Sequence, residues 1–104
     1  MAHRVAWSPE ALEDLEAIAE FIGRDSRFYA QAVVSKVLAM GASVACFPEA
    51  GRVVPELDDR LIRERFVYSY RVIYRIEPER VLVIAVIHGK RLLESLGERA
   101  SDKL

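Results

Sequence analysis

Seven consecutive apolar residues, Val81-Leu82-Val83-Ile84-Ala85-Val86-Ile87, stand between the turn-forming Glu77-Pro78-Glu79-Arg80 and Gly89. The run is far too short to cross a bilayer as a helix. As a strand it has no polar face to give to water, so it belongs at the centre of a sheet, buried more fully than its neighbours. Two segments before it alternate instead. Ile62, Glu64 and Phe66 oppose Arg63 and Arg65, and Val72, Tyr74 and Ile76 oppose Arg71, Ile73 and Arg75. Period two with basic residues on one side is expected of strands covered on one face only.

The cover comes from the first half of the chain. His3 to Trp7 reads as a short strand, stopped by Ser8-Pro9, an N-cap followed by a proline whose missing N–H is harmless in a first helical turn. Ala11, Leu12, Leu15, Ile18, Ala19 and Ile22 then form one helical stripe that ends at Gly23. Asp25 or Ser26 caps a second helix, whose stripe is Ala30, Val33, Val34, Val37, Leu38, Gly41, Val44 and Ala45. A loop from Phe47 to about Leu61 follows. These elements predict an α+β fold of order β-α-α-β-β-β. A helical hairpin packs on one face of a mainly antiparallel four-stranded sheet. A short C-terminal helix spans Arg91 to Leu96, and residues 98–104 form a frayed tail.

With 104 residues, 52% of them hydrophobic, the chain suits one folded domain spanning 1–104 and excludes a disordered one. The single Cys46 rules out an internal disulfide, fits a reducing compartment and is expected in the core. Two histidines and one cysteine make a structural zinc site unexpected, and no cofactor motif is present. His3 and Arg4 precede only three apolar residues, so no secretory leader or membrane association is expected, and the chain reads as cytoplasmic.

The net charge of −1 conceals a split: residues 1–59 hold five Lys/Arg against ten Asp/Glu, and residues 60–104 hold ten against six. On the expected fold this becomes an acidic helical back and a basic sheet front carrying Arg63 or Arg65 with Arg71 and Arg75. Arg71 and Arg75 lie four apart on one strand, about 13 Å at 3.3 Å per residue. Guanidinium forks suit phosphate or carboxylate ligands, or else ion pairs with Glu64 or Glu77. His88 ends the apolar strand, a place for a proton-transfer residue, though a lone histidine there is more often a hydrogen-bonded structural residue. Glu49, Glu56, Asp58 and Asp59 are loop carboxylates able to act as a base if the loop folds over the sheet. Tyr68, Tyr70 and Tyr74 suit base stacking or simply strand formation.

Taken together, Trp7-Ser8-Pro9-Glu10-Ala11, Pro48-Glu49-Ala50-Gly51-Arg52-Val53-Val54-Pro55-Glu56, Ile62-Arg63-Glu64, Tyr70-Arg71-Val72-Ile73-Tyr74-Arg75-Ile76 and Val86-Ile87-His88-Gly89-Lys90-Arg91 resemble the RelE/ParE toxins of type II toxin–antitoxin systems. The resemblance covers about Val5 to Leu96. It implies a bacterial growth inhibitor, of the kind tied to plasmid stabilisation, held in a hetero-oligomer by a small cognate antitoxin. ParE-like members poison DNA gyrase, whereas RelE-like members cut mRNA on the ribosome through its own 2′-OH.

This sequence departs from the RelE pattern. No lysine lies between Gly51 and Leu61, and no tyrosine follows Tyr74. The ending His88-Gly89-Lys90-Arg91 looks ParE-like, and near-neutral charge favours a protein target over a phosphate lattice. The reading is therefore a gyrase poison without intrinsic catalysis. Arg63, Arg65, Arg71, Arg75, His88 and Arg91 are then expected to meet target or antitoxin. The alternative is a ribosome-dependent mRNA interferase, with Arg71 as the cation and His88 and Glu56 as acid and base. A further alternative is a non-toxic relative that only binds the antitoxin.

Overall fold

The computed structural model describes residues 4–89, 91 and 94–101. β1 (Arg4–Trp7) leads into α1 (Pro9–Gly23) and α2 (Arg27–Cys46), and a 3-10 turn (Pro48–Ala50) follows. Next come β2 (Arg52–Val53), β3 (Ile62–Val67), β4 (Tyr70–Ile76), β5 (Arg80–His88) and α3 (Leu96–Ser101). Both long helices begin where a serine hydroxyl replaces a missing backbone partner. Ser8 Oγ accepts from the Ala11 N–H at 3.1 Å, and Ser26 Oγ accepts from the Tyr29 N–H at 3.0 Å.

The sheet runs β1-β5-β4-β3-β2, with β1 parallel to β5 and every other pair antiparallel. It has five strands rather than four, because Arg52 and Val53 leave the expected loop to pair with Glu64 and Arg63. The apolar run lies inside, between β1 and β4, and its seven residues are at most 4% exposed.

Two cores sandwich the sheet. On one face Ala11, Leu15, Val33, Val37 and Val44 of the helices meet Val72, Tyr74, Val81, Val83 and Val86. Each such buried aliphatic side chain contributes about 1.5–3 kcal/mol. α2 comes close because its Gly41 faces Trp7: a Cβ there would lie 2.8 Å from the ring atom Cζ2. Of the expected α2 stripe, Leu38 is the exception, 45% exposed on the outer side.

The second face was expected to be partly open, and it is largely covered. Val54 and Leu57 from the β2–β3 loop and Leu96 from α3 pack there on Ile62, Ile73, Leu82, Ile84, Ala85 and Ile87. The C-terminal helix therefore begins at Leu96, where the sequence reading had it end, and reaches Ser101. It is tied down by Arg99, whose Nη1 donates to Asp14 Oδ2 at 2.7 Å and to the Ile84 carbonyl at 3.1 Å. Asp14 Oδ2 also accepts from the Val86 N–H at 3.0 Å. β1 ends at Trp7, opposite Val83, so these two side chains satisfy strand-edge groups that β1 leaves uncovered. Cys46 is exposed at the end of α2, not in the core. It has turned past the last residues of the stripe, Val44 and Ala45.

Candidate functional site

β4 keeps its alternation, so Arg71, Ile73 and Arg75 share the face opposite the helices, as the spacing predicts. That face does not present Arg71 to solvent. Its side chain is 5% exposed and is clasped by two carboxylates. Nη1 and Nη2 donate to Glu56 Oε2 and Oε1 at 2.7 and 2.9 Å, a bidentate pair, and Nε donates to Glu64 Oε1 at 2.6 Å. Glu64 is itself fully buried, and its second oxygen accepts from Arg52 Nε at 2.5 Å. Arg52 in turn lies over the Phe66 ring, 5.7 Å from its centroid. Two cations and two anions form a closed, neutral tetrad. Glu64 was legible only as a strand residue opposite Arg63 and Arg65, and a possible ion-pair partner. That it is the buried centre of the cluster depends on β2 and the loop folding over it.

Charge fixes the titration of this cluster. The hydrogen bonds from Arg71 hold the Glu56 carboxyl below its ordinary value of 4.5, and the bond to Glu56 in turn raises Arg71. A depressed carboxylate stabilises the fold above its unfolded value and loses that contribution as pH falls through the lower folded value. Acid unfolding should thus draw on Glu56 from about pH 4.5 downward. Glu56→Gln is expected to lower the melting temperature at neutral pH and to flatten the decline below pH 4.5, read by thermal melts across pH.

Arg75 is also engaged. Its Nε donates to Glu77 Oε2 at 2.9 Å and its Nη1 to the Ala100 carbonyl at 2.7 Å. Burial pushes the Glu77 carboxyl up, but its bonds from Arg80 and Arg75 outweigh this and leave it lowered. Arg63 and Arg65 sit opposite Tyr74 and Val72, so they project from the helix-covered face rather than beside Arg71. Arg63 is spent on backbone carbonyls, donating to Arg60 at 2.8 Å and Gly51 at 3.1 Å. The Arg65 side chain makes no hydrogen bond or ion pair among the described residues. The expected single basic front is thus divided between two faces.

His88 is parted from Arg71 by one residue of β5. The pairing runs Ile73 to Ala85 but Tyr74 to Val83, so Ile84 is an extra residue, a β-bulge. Beyond it the phase of the strand reverses: Leu82 and Ile84 face the second core, Val86 the helices. His88 therefore pairs with Tyr70 on the helix side, rings edge to face at 5.8 Å. There, with Arg91, Asp14, Ile18 and Phe21, it lines a cleft of about 390 Å³.

The loop carboxylates are dispersed. Glu56 reaches Arg71; Asp59 Oδ1 accepts from the Leu61 N–H at 2.9 Å; Glu49 and Asp58 are exposed. Tyr74 is buried, its hydroxyl donating to the Pro48 carbonyl at 2.7 Å, so of the three tyrosines it is structural. Burial raises its pKa. No metal-binding group of His, Cys, Asp and Glu occurs among the described residues.

A family model described as the ParE toxin of type II toxin–antitoxin system, parDE, matches residues 5–93. Toxin RelE2 of Caulobacter vibrioides is 30% identical over 89 residues, which are 86% of this chain and 98% of the relative. A solved structure titled as a chromosomal ParDE toxin–antitoxin system from P. aeruginosa superposes with a TM-score of 0.69 at 13% identity. It covers 84% of this chain and 96% of that chain, a likeness of fold. The residues that opened and closed the resemblance, from Trp7-Ser8-Pro9 to His88-Gly89, lie within the matched span, and the chain belongs to the ParE toxin family of type II toxin–antitoxin systems.

Proposed function

We propose that this toxin arrests growth by binding and poisoning DNA gyrase, without chemistry of its own, and that a cognate antitoxin neutralises it in a hetero-oligomer. The observation that carries the reading is the disposal of Arg71. Cutting RNA through its 2′-OH needs a base, an acid and a cation that meets the phosphorane charge. Here the strand arginine is neutralised by Glu56 and Glu64, and His88 stands on the opposite face of the sheet. The missing loop lysine and C-terminal tyrosine point the same way.

One observation favours the interferase reading: the relative at 30% identity carries the name RelE2. A paired assay separates the two. Purified toxin is expected to block gyrase supercoiling or to accumulate gyrase–DNA cleavage complexes at micromolar concentration, and to leave mRNA on translating ribosomes intact. Codon-positioned cuts with unimpaired gyrase reverse the assignment. Normal growth on induction without the antitoxin instead marks a non-toxic relative.

A further inference from the structure

The β3–β4 hairpin is closed by two residues, Tyr68 and Ser69, and Tyr68 is held at φ 53, the left-handed region. Two-residue loops normally put Asn, Asp or Gly there, because a bulky side chain is strained in that conformation. The other described non-glycine residue with positive φ is Asp58, a type that tolerates it. Core packing does not explain the tyrosine, which is 56% exposed. Backbone strain of this kind gathers at functional sites.

The ring of Tyr68 has company. Tyr29, in the first turn of α2 and half exposed, lies with its centroid 6.3 Å away and its plane tilted by 44°. Phe28, one position earlier, is the most exposed large apolar residue described, at 83%. The elements that carry the two rings are basic, although the exposed Asp25 precedes the cap of α2. α2 carries Arg27 and Lys36 and no acid, and no acid lies between Arg65 and Ile76. Arg65, on the strand leading to Tyr68, has no side-chain partner among the described residues, whereas Arg71 and Arg75 are ion-paired and Arg63 is held by backbone carbonyls. α1, by contrast, exposes Glu13, Glu16 and Glu20.

We propose that Tyr68 and Tyr29, with Arg65 on the strand that leads into the turn, form the surface that grips an acidic face of the toxin's protein target; this rests on the protein-target reading above. Tyrosine and arginine are enriched among the residues that dominate protein interfaces, and an arginine with no side-chain partner among the described residues favours an acidic one. A nucleic acid fits less well. The rings lean across one another instead of forming a stacking platform, and so few cations neutralise few phosphates.

The test exploits the strain. Tyr68→Asn removes the ring and installs a residue suited to the turn, so the melting temperature should hold or rise by a few degrees. Potency in the gyrase assay should fall at least tenfold, with a further loss when Arg65→Glu is added. Unchanged potency in both variants overturns the proposal, as does a sharp fall in melting temperature that accounts for lost potency. Full potency with lost antitoxin binding overturns it too, by assigning the surface to the antitoxin. If the wild type binds protein-free DNA or RNA and Tyr68→Asn abolishes this, the surface reads nucleic acid and the proposal fails. A wild type inert toward gyrase refutes the parent reading alone. Growth arrest then supplies the readout: loss of arrest by folded Tyr68→Asn supports the surface, and equal arrest rejects it.

Discussion

Arg71→Ala is expected to cost about 3–5 kcal/mol of folding stability, the range for removing one partner of a buried ion pair. The reason lies in what remains. Glu64 is fully buried, and without Arg71 it keeps only Arg52, whose side chain is 63% exposed. Glu56 loses its partner as well and is released to water, where its charge is well solvated. At roughly 4–8 °C per kcal/mol for a domain of this size, the melting temperature should drop by at least about 12 °C. Arg71→Lys should recover only part of this, since one ammonium cannot hold both carboxylates in place.

The controls are Glu64→Met alone and Arg71→Met with Glu64→Met. The double variant should lie nearer the wild type than Arg71→Ala, because deleting both charges leaves none buried alone. Urea unfolding gives the comparison, through midpoints at matched slopes. An Arg71→Ala cost below about 1 kcal/mol contradicts a buried Arg71–Glu64 ion pair. The result bears on function too. Loss of toxicity in Arg71→Ala is interpretable only beside its folded fraction, since an unfolded toxin and a catalytically dead one arrest growth equally poorly.

Gly51→Ala is the second large effect, at about 3 kcal/mol, the upper end for overpacking. Gly51 sits at φ −76 and ψ 157, an extended conformation open to any residue, so the penalty is purely steric. A Cβ there would lie 2.4 Å from Tyr74 Oη and 2.7 Å from the Glu64 carbonyl oxygen. Neither neighbour yields easily. The Tyr74 hydroxyl accepts from the Gly51 N–H at 3.0 Å and donates to Pro48, and the Glu64 oxygen is strand backbone. Tyr74→Phe should cost about 2 kcal/mol by leaving buried groups of Gly51 and Pro48 unpaired. Combining the two substitutions should cost less than their sum, because Phe removes one of the two colliding atoms. Strict additivity by thermal or urea unfolding refutes this account of the contact.

The features legible in the sequence are those with local causes. Ser8-Pro9 and Ser26 set helix starts through bonds three residues long. β4 spans Tyr70–Ile76, the segment its alternation marks, and Val81 to Ile87 form an inner, fully buried strand, one in from the β1 edge, as an all-apolar run requires. Misplaced elements depend on distant partners. Arg52 and Val53 are strand only because β3 offers its edge, and α3 forms where Leu96 finds the second core and Arg99 finds Asp14. The pairing of Arg71 with Glu56 joins residues fifteen apart, through a loop whose path no periodicity encodes.

The amino-acid sequence by itself determined the order of the main elements, the buried inner strand, the helical cover and the placing of Arg71 and Arg75 on one sheet face. Each follows from hydrophobic period and turn chemistry, which act over a few residues. Only the tertiary structure decided that Arg71 and Arg75 are neutralised by ion pairs, Arg71 with Glu56 and Glu64 and Arg75 with Glu77. It alone decided that His88 looks away from Arg71. An uninterrupted apolar strand has no polar alternation to betray its phase, so the single extra residue at Ile84 is invisible until β4 pairs with it.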